Sequence, residues 1–184
     1  MAKALQNDGW HTVLIDLPGP QLGAVTASDQ QTLVACDLTD SAALAKMSNK
    51  VIADRSSIDL VICNAGITHI GSFSDLDETT HSKVFDINYF AAVNMAQAFL
   101  EPLRRAKGTH LAISSVAGFS PLYQRTAYAA SKHALEGFFA SLRSEEAVHG
   151  VATVIAAPSF VATNIGNDQR QNDGTARPGS AKDG

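Results

Sequence analysis

Five short apolar runs punctuate the chain: 11–16, 32–36, 58–63, 109–114 and 151–157. Each is rich in aliphatic and β-branched residues and ends in polar or turn-forming sequence, so each predicts a buried strand. Between them lie stretches whose apolar residues recur three and four apart, the period of a helix. Met1 to Asn7 reads as the last turns of one helix, ended by Asp8-Gly9. A second covers Asp40 to Asp54, with Ala42, Leu44, Ala45, Met47, Val51 and Ile52 on its buried side. Ser74 to Asp77 resembles a capping box and opens helical sequence to about Ala106, broken near Thr80 and kinked at Pro102. A long helix spans Thr126 to His149 and is closed by Gly150. Pro18 to Gly23 and Ser115 to Gln124 read as loops.

Strands alternating with helices predict an α/β fold with a parallel sheet covered on both faces. The length suits one domain, expected over 1–166. From about Asn167 the composition turns to Gln, Asn, Asp, Gly, Ser and Pro, and a disordered polar tail is expected over 167–184. A net charge of −4 gives no reason to expect nucleic acid or anionic membrane as partner. No apolar run reaches the roughly 20 residues that span a bilayer, and Met1 to Trp10 has no signal-peptide pattern. Cys36 and Cys63 end two strands without staple-like spacing, which points to a reducing, cytoplasmic setting. The dispersed histidines lack metal-ligand spacing. Arg104, Arg105 and Lys107 suit the negative end of a helix.

The chemistry concentrates in Tyr128-Ala-Ala-Ser-Lys132 and in Ser115, thirteen residues earlier. A tyrosine and a lysine four apart on a helix share a face. A free phenol, with a pKa of about 10, exchanges its proton poorly at neutral pH, and a nearby ammonium stabilises the phenolate. A serine hydroxyl beside the phenol can hydrogen-bond a substrate oxygen. The three together make a proton-transfer device for an alcohol or a carbonyl. Alone, such a pair is usually two residues on a half-exposed helix; its context decides.

That context resembles the short-chain dehydrogenase/reductase family in its single-domain form, over about residues 1–165. The ordered motifs are Asp37 after a strand, Asn64-Ala65-Gly66 after the next, Asn88 in helical sequence, Ser115, Tyr128 with Lys132, and Pro158 to Thr163 after the last strand. The resemblance implies a Rossmann-like, doubly wound parallel sheet and hydride transfer between NAD(P) and an alcohol or ketone. It makes Tyr128 the general acid/base, with Lys132 assisting it and bonding the nicotinamide ribose. Ser115 holds the substrate oxygen, and Asn88 supports a water that links Lys132 to solvent. On the cofactor side it implies Asp16 at the adenosine ribose, Asp37 near the adenine, and Asn64, Ala65 and Gly66 along the adenosine. Val161 and Thr163 are implied at the nicotinamide carboxamide. An acidic Asp16 repels a 2′-phosphate and favours NAD over NADP. Ser159 stands where the family usually has glycine.

The family also begins with a strand and a glycine-rich turn that packs against the pyrophosphate. This sequence shows neither, and Met1 falls inside what corresponds to the first helix. Gly66 to Gly71 is followed by Ser72, so it is not a nucleotide P-loop. The expectation is a chain truncated at both ends relative to the family, and the alternative function is a non-catalytic remnant or interaction module. The extended epimerase branch fits less well, because it typically lacks Asn-Ala-Gly at this place. Phe119, Leu122 and Tyr123 are expected to border an apolar substrate pocket. Phe90, Val93, Phe99, Phe138, Phe139 and Leu142 are expected to serve a homodimer or homotetramer.

Overall fold

The structure, a computed structural model, describes residues 1–159. The tail, Val161 and Thr163 lie outside the described residues. The chain forms two compact units, one ending at Ser57 and the other beginning at Ile58.

The first unit holds helix α1 (Ala2–Asn7), strand β1 (Thr12–Asp16), helix α2 (Pro20–Gly23), strand β2 (Gln31–Ala35) and helix α3 (Ser41–Asp54). β1 and β2 pair in parallel, with Val13 opposite Thr32 and Asp16 opposite Ala35. The expected loop at Pro18 to Gly23 contains the one-turn helix α2, with Pro20 in its first turn, where a missing N–H costs nothing. Asp40 caps α3 by accepting from the amides of Ala42 (2.9 Å) and Ala43 (3.0 Å). The buried stripe of α3 is Leu44, Met47, Ser48 and Val51. This corrects the expected one: Ala42 and Ala45 are exposed, because they fall off the three-and-four spacing that Leu44 begins. Ser48 joins the stripe because its hydroxyl donates to the Ala45 carbonyl at 3.1 Å.

The second unit has strands β3 (Leu60–Cys63), β4 (Thr109–Ile113) and β5 (Ala152–Ala156), all parallel, with β4 in the middle. β1 and β3, which the doubly wound order would set on either side of a central strand, belong to separate sheets. The expected helical run from residue 74 is divided. No capping box forms at Ser74, whose hydroxyl meets Ser72 and Asp75. Instead Asp77 accepts from the Thr79 amide at 2.8 Å and the chain turns into α4 (Thr80–Phe85). A π-helical turn follows (Asp86–Phe90), then α5 (Ala91–Ala98) and α6 (Leu100–Ala106). The break between α5 and α6 sits at Phe99, three residues before Pro102. A proline ring clashes with the carbonyl four residues back and leaves it unbonded, so the helix parts there rather than at the proline. α7 (Thr126–Glu146) ends in a 3₁₀ turn, Ala147–His149, and Gly150 closes it at φ 76°.

Leu103, Leu135 and Phe139 fill the interior of this unit, each worth roughly 1.5–3 kcal/mol in apolar burial. Phe99 and Phe139 are therefore core residues, not the interface residues expected of them. Arg104 does more than face a helix dipole. Its guanidinium donates to both carboxylate oxygens of the buried Glu146, at 2.8 and 2.6 Å, and ties α6 to the end of α7. Hydrogen bonds from Arg104 hold the Glu146 carboxyl below the usual carboxylate range.

His110 on β4 is 0% exposed, lies 6.3 Å from the Phe139 ring, and has no hydrogen-bond partner at either ring nitrogen among the described residues. Burial pushes its pKa down to about 4. The unfolded chain, with histidine near 6.5, therefore binds more protons than the folded one between those values. Stability should be fully present above pH about 6.5 and fall as pH drops toward 4, by at most about 1.4 kcal/mol per pH unit from this residue. Urea denaturation of His110→Leu across that window should show a flatter profile than the wild type.

Candidate active site

Tyr128 and Lys132 lie one turn apart near the start of α7, and both are buried. The Lys132 ammonium donates to the Ile113 carbonyl at the end of β4, at 2.8 Å, and lies 5.9 Å from the Tyr128 ring centroid. Burial pushes the Lys132 pKa down to about 8, with the Glu136 carboxylate opposing that shift. The Arg125 guanidinium carbon stands 5.8 Å from the same ring centroid. Arg125 also donates to the Thr68 hydroxyl at 2.8 Å, and the Gly71 amide donates to the Gln124 carbonyl at 3.0 Å. The loops after β3 and before α7 are thereby joined.

Ser115 leaves β4 in extended backbone and caps a 3₁₀ turn, Val116–Gly118, which packs on α7. Its oxygen accepts from the Ala117 amide at 3.2 Å. The hydroxyl hydrogen has no acceptor among the described residues.

Asn88 is 1% exposed and sits in the π-helical turn. Its side-chain oxygen accepts from the Ile67 amide at 2.8 Å, and its nitrogen donates to the Ile67 carbonyl at 2.9 Å. The same nitrogen donates to the Ser131 hydroxyl at 3.0 Å, and Ser131 donates on to the Tyr128 carbonyl at 2.8 Å. A single amide thus fastens the loop after β3 to the turn of α7 that carries Tyr128. Turns of this wide kind recur at functional sites because they alter the regular backbone ladder. Gly66 abuts the group: a Cβ there would lie 3.4 Å from the Asn88 oxygen and 3.8 Å from the Lys132 nitrogen. Asn64 and Ala65 are exposed at the carboxyl end of β3. Open α/β sheets bind ligands at such strand ends.

Of the expected site residues, Gly66, Asn88 and Lys132 converge in the second unit, with Tyr128 beside Lys132 and Ser115 on the turn against α7. Asp16 and Asp37 lie in the first unit. Asp16 is exposed at the end of β1 and accepts from the Leu17 amide at 2.8 Å. One oxygen of Asp37 accepts from the Thr39 hydroxyl (2.7 Å) and amide (2.9 Å), and these bonds hold its carboxyl below the usual range. Ser131, Thr68 and Arg125 carry contacts of the site that the motif reading passed over. Ser131 had a signal, since it stands three residues after Tyr128 on the same helix. Thr68 had none in the local sequence.

A family model described as short chain dehydrogenase matches residues 1–174, and the chain belongs to that family. It is 34% identical over 160 residues to the Bos taurus dehydrogenase/reductase SDR family member 7B, covering 84% of this chain and 49% of the relative. A Dictyostelium discoideum dehydrogenase/reductase SDR family protein 7-like is 34% identical over 148 residues, covering 79% and 46%. The chain spans about half the length of the curated relatives it matches. Among solved structures, a short-chain dehydrogenase from Streptomyces avermitilis aligns with TM-score 0.83 at 26% identity, covering 89% of this chain and 61% of that one. A metagenomic short-chain oxidoreductase in complex with NADP aligns with TM-score 0.79 at 30% identity, covering 87% and 76%. These matches support a Rossmann-type α/β fold and an oxidoreductase family. Among the described residues, no helix is long and apolar enough to cross a membrane.

Replacing Asn88 with alanine should cost about 1–3 kcal/mol for each group left buried and unpaired, with the Ile67 amide and carbonyl first among them. Chemical denaturation of Asn88→Ala against wild type measures it, and Asn88→Asp should retain only the bond from the Ile67 amide.

Proposed function

We propose that this chain carries the proton-transfer half of an NAD(P)-dependent oxidoreductase acting on a small alcohol or carbonyl compound. The observation that carries this reading is the buried Lys132 ammonium set beside the Tyr128 ring and bonded to the strand end that leads into Ser115. Tyr128 gives its phenolic proton to a carbonyl oxygen, or takes one from an alcohol. Ser115 donates its free hydroxyl hydrogen to that oxygen and holds it against the phenol. Lys132 keeps a positive charge next to the ring and restores the proton. Asn88 fixes the helix turn beneath them. A nicotinamide held beside them would supply the hydride chemistry.

The residues present suit part of a dinucleotide, without the glycine-rich turn that would meet its pyrophosphate. Gly66 has no side chain to block an approach to Lys132, and Asn64 and Ala65 offer exposed backbone at the strand end. Asp16 and Asp37 of the first unit, and Val161 and Thr163 outside the described residues, are proposed as cofactor contacts on the family resemblance alone. The carboxylate of Asp16 at the end of β1 favours NAD, although the metagenomic relative was solved with NADP. Phe119 and Tyr123 are exposed near the Ser115 turn and favour a substrate with an apolar body. Phe90 is 50% exposed beside Tyr89, whose ring also meets Phe138, and this is where a second copy of the chain would pack in a dimer. Free, buried Cys36 and Cys63 suit a reducing, cytoplasmic compartment. The competing reading is a non-catalytic remnant or interaction module, since the sequence shows no glycine-rich phosphate-binding turn.

Tyr128→Phe should lower turnover of an alcohol and ketone panel by at least about a hundredfold while leaving cofactor affinity within about twofold. Turnover is read from nicotinamide absorbance and affinity from its fluorescence. Undiminished turnover in this variant would remove Tyr128 from the role. Wild-type cofactor binding with no turnover of any substrate would favour the competing reading. Asp16→Asn should shift preference toward NADP by about tenfold, the effect of roughly 1.4 kcal/mol, in paired NAD and NADP titrations.

A further inference from the structure

Glu136 stands one turn beyond Lys132 on α7 and points to the corner where β4 becomes the Ser115 turn. One of its carboxylate oxygens is buried and has no hydrogen-bond partner among the described residues. The hydroxyl of Ser114, the residue before Ser115, is in the same condition. Both face a single point. A Cβ placed on Gly118 would lie 2.8 Å from the Ser114 oxygen, 3.1 Å from that Glu136 oxygen and 2.7 Å from the Glu136 Cγ. Gly118 is thus a glycine of necessity, since any side chain there would strike both residues. Two orphaned polar atoms converging beneath one turn are costly unless they serve each other. A hydroxyl donating to a carboxylate through one bridging water would satisfy both.

We propose that Glu136 is a positioning residue for the site: with Ser114 it locks the turn beneath Gly118 that holds the Ser115 hydroxyl, and its negative charge keeps the buried Lys132 ammonium protonated. This rests on the reading of Ser115 and Lys132 given above. The first part follows from geometry, because the turn Val116–Gly118 rests on α7 at Glu136 while its other end is capped by Ser115. The second follows from chemistry. The other elements around Lys132 present Asn88, the Gly66 backbone and the Ile113 carbonyl, all uncharged. Tyr128 and Arg125 are the ionisable neighbours at the start of α7, and Arg125 is itself a cation. Glu136, one turn along the same helix, is the acidic side chain placed beside it.

The test uses the full chain without substrate or cofactor, so it does not depend on turnover. Lysine side-chain NMR titration should place the Lys132 midpoint lower by at least about half a unit, roughly threefold in proton affinity, in both Glu136→Gln and Glu136→Leu. Hydrogen exchange at the Ala117 and Gly118 amides, which bond the Ser115 oxygens, should quicken about tenfold in Glu136→Leu and stay near wild type in Glu136→Gln, whose amide oxygen keeps an acceptor facing Ser114. An unchanged Lys132 midpoint in Glu136→Gln, or unchanged exchange in Glu136→Leu, overturns the proposal. A failure of catalysis in the wild type would instead count against the oxidoreductase reading and leave these two measurements as they are.

Discussion

The site depends on one buried carboxamide. Asn88 has no access to water, so its oxygen and nitrogen must find protein partners or destabilise the fold. It finds both backbone groups of Ile67 and the hydroxyl of Ser131. Each partner is bound to the chemistry by a single covalent step or one more hydrogen bond. Gly66 precedes Ile67, and Ser131 leads to the Tyr128 carbonyl on one side and to Lys132 on the other. A small displacement of α7 along its axis would break the bond to Ser131, and a change in the loop after β3 would break the pair to Ile67. The helix and the loop are held in register by a cost that neither can escape separately. The π-helical geometry follows from the same demand, since it lets Asn88 reach inward from a run that otherwise continues as α4 into α5.

Parallel strands explain why residues so far apart in sequence belong to one kind of site. In a parallel sheet every strand ends on the same side, and the loops that follow are free of ladder obligations. In the second unit, Asn64-Ala65-Gly66 follows β3, Ser115 follows β4 and Ser159 follows β5. In the first unit, Asp16 ends β1 and Asp37 follows β2. The same rule acts in each unit by itself.

Legibility in the sequence tracked the range of the interaction. The five strands could be read because continuous apolar runs are local signals, and their bounds differ from the expected ones by one or two residues. Tyr128 and Lys132 could be read because helical spacing alone brings them together. The division of the 74–106 run was half readable: Pro102 announced a disturbance, but the carbonyl it displaces lies four residues earlier, so the break appears at Phe99. The π-helical turn had no local signature beyond a lone asparagine. Arg104 with Glu146, and Thr68 with Arg125, are separated by 42 and 57 residues, and only the folded chain shows that they meet. Ser48 and Ser131 were hidden for another reason. Both are polar residues on buried faces, admitted because their hydroxyls bond carbonyls of their own helix, at Ala45 and Tyr128.

The four-residue rhythm of α7 runs on from Tyr128 through Lys132 to Glu136, which sets a phenol, an ammonium and a carboxylate on one stripe. Burial alone disfavours the charged form of lysine, and it moves Lys132 to about 8. An ammonium in that range is still mostly protonated at neutral pH, yet gives up its proton far more readily than a solvated one. The Ile113 carbonyl accepts one of its hydrogens and cannot offset its charge. A phenol and a carboxylate thus lie one helical turn to either side of the ammonium. Were the stripe shifted by one residue, about 100° around the helix, these groups would face different neighbours and the ammonium would lose its carbonyl acceptor. The spacing of three residues on one helix therefore decides which groups surround this buried lysine.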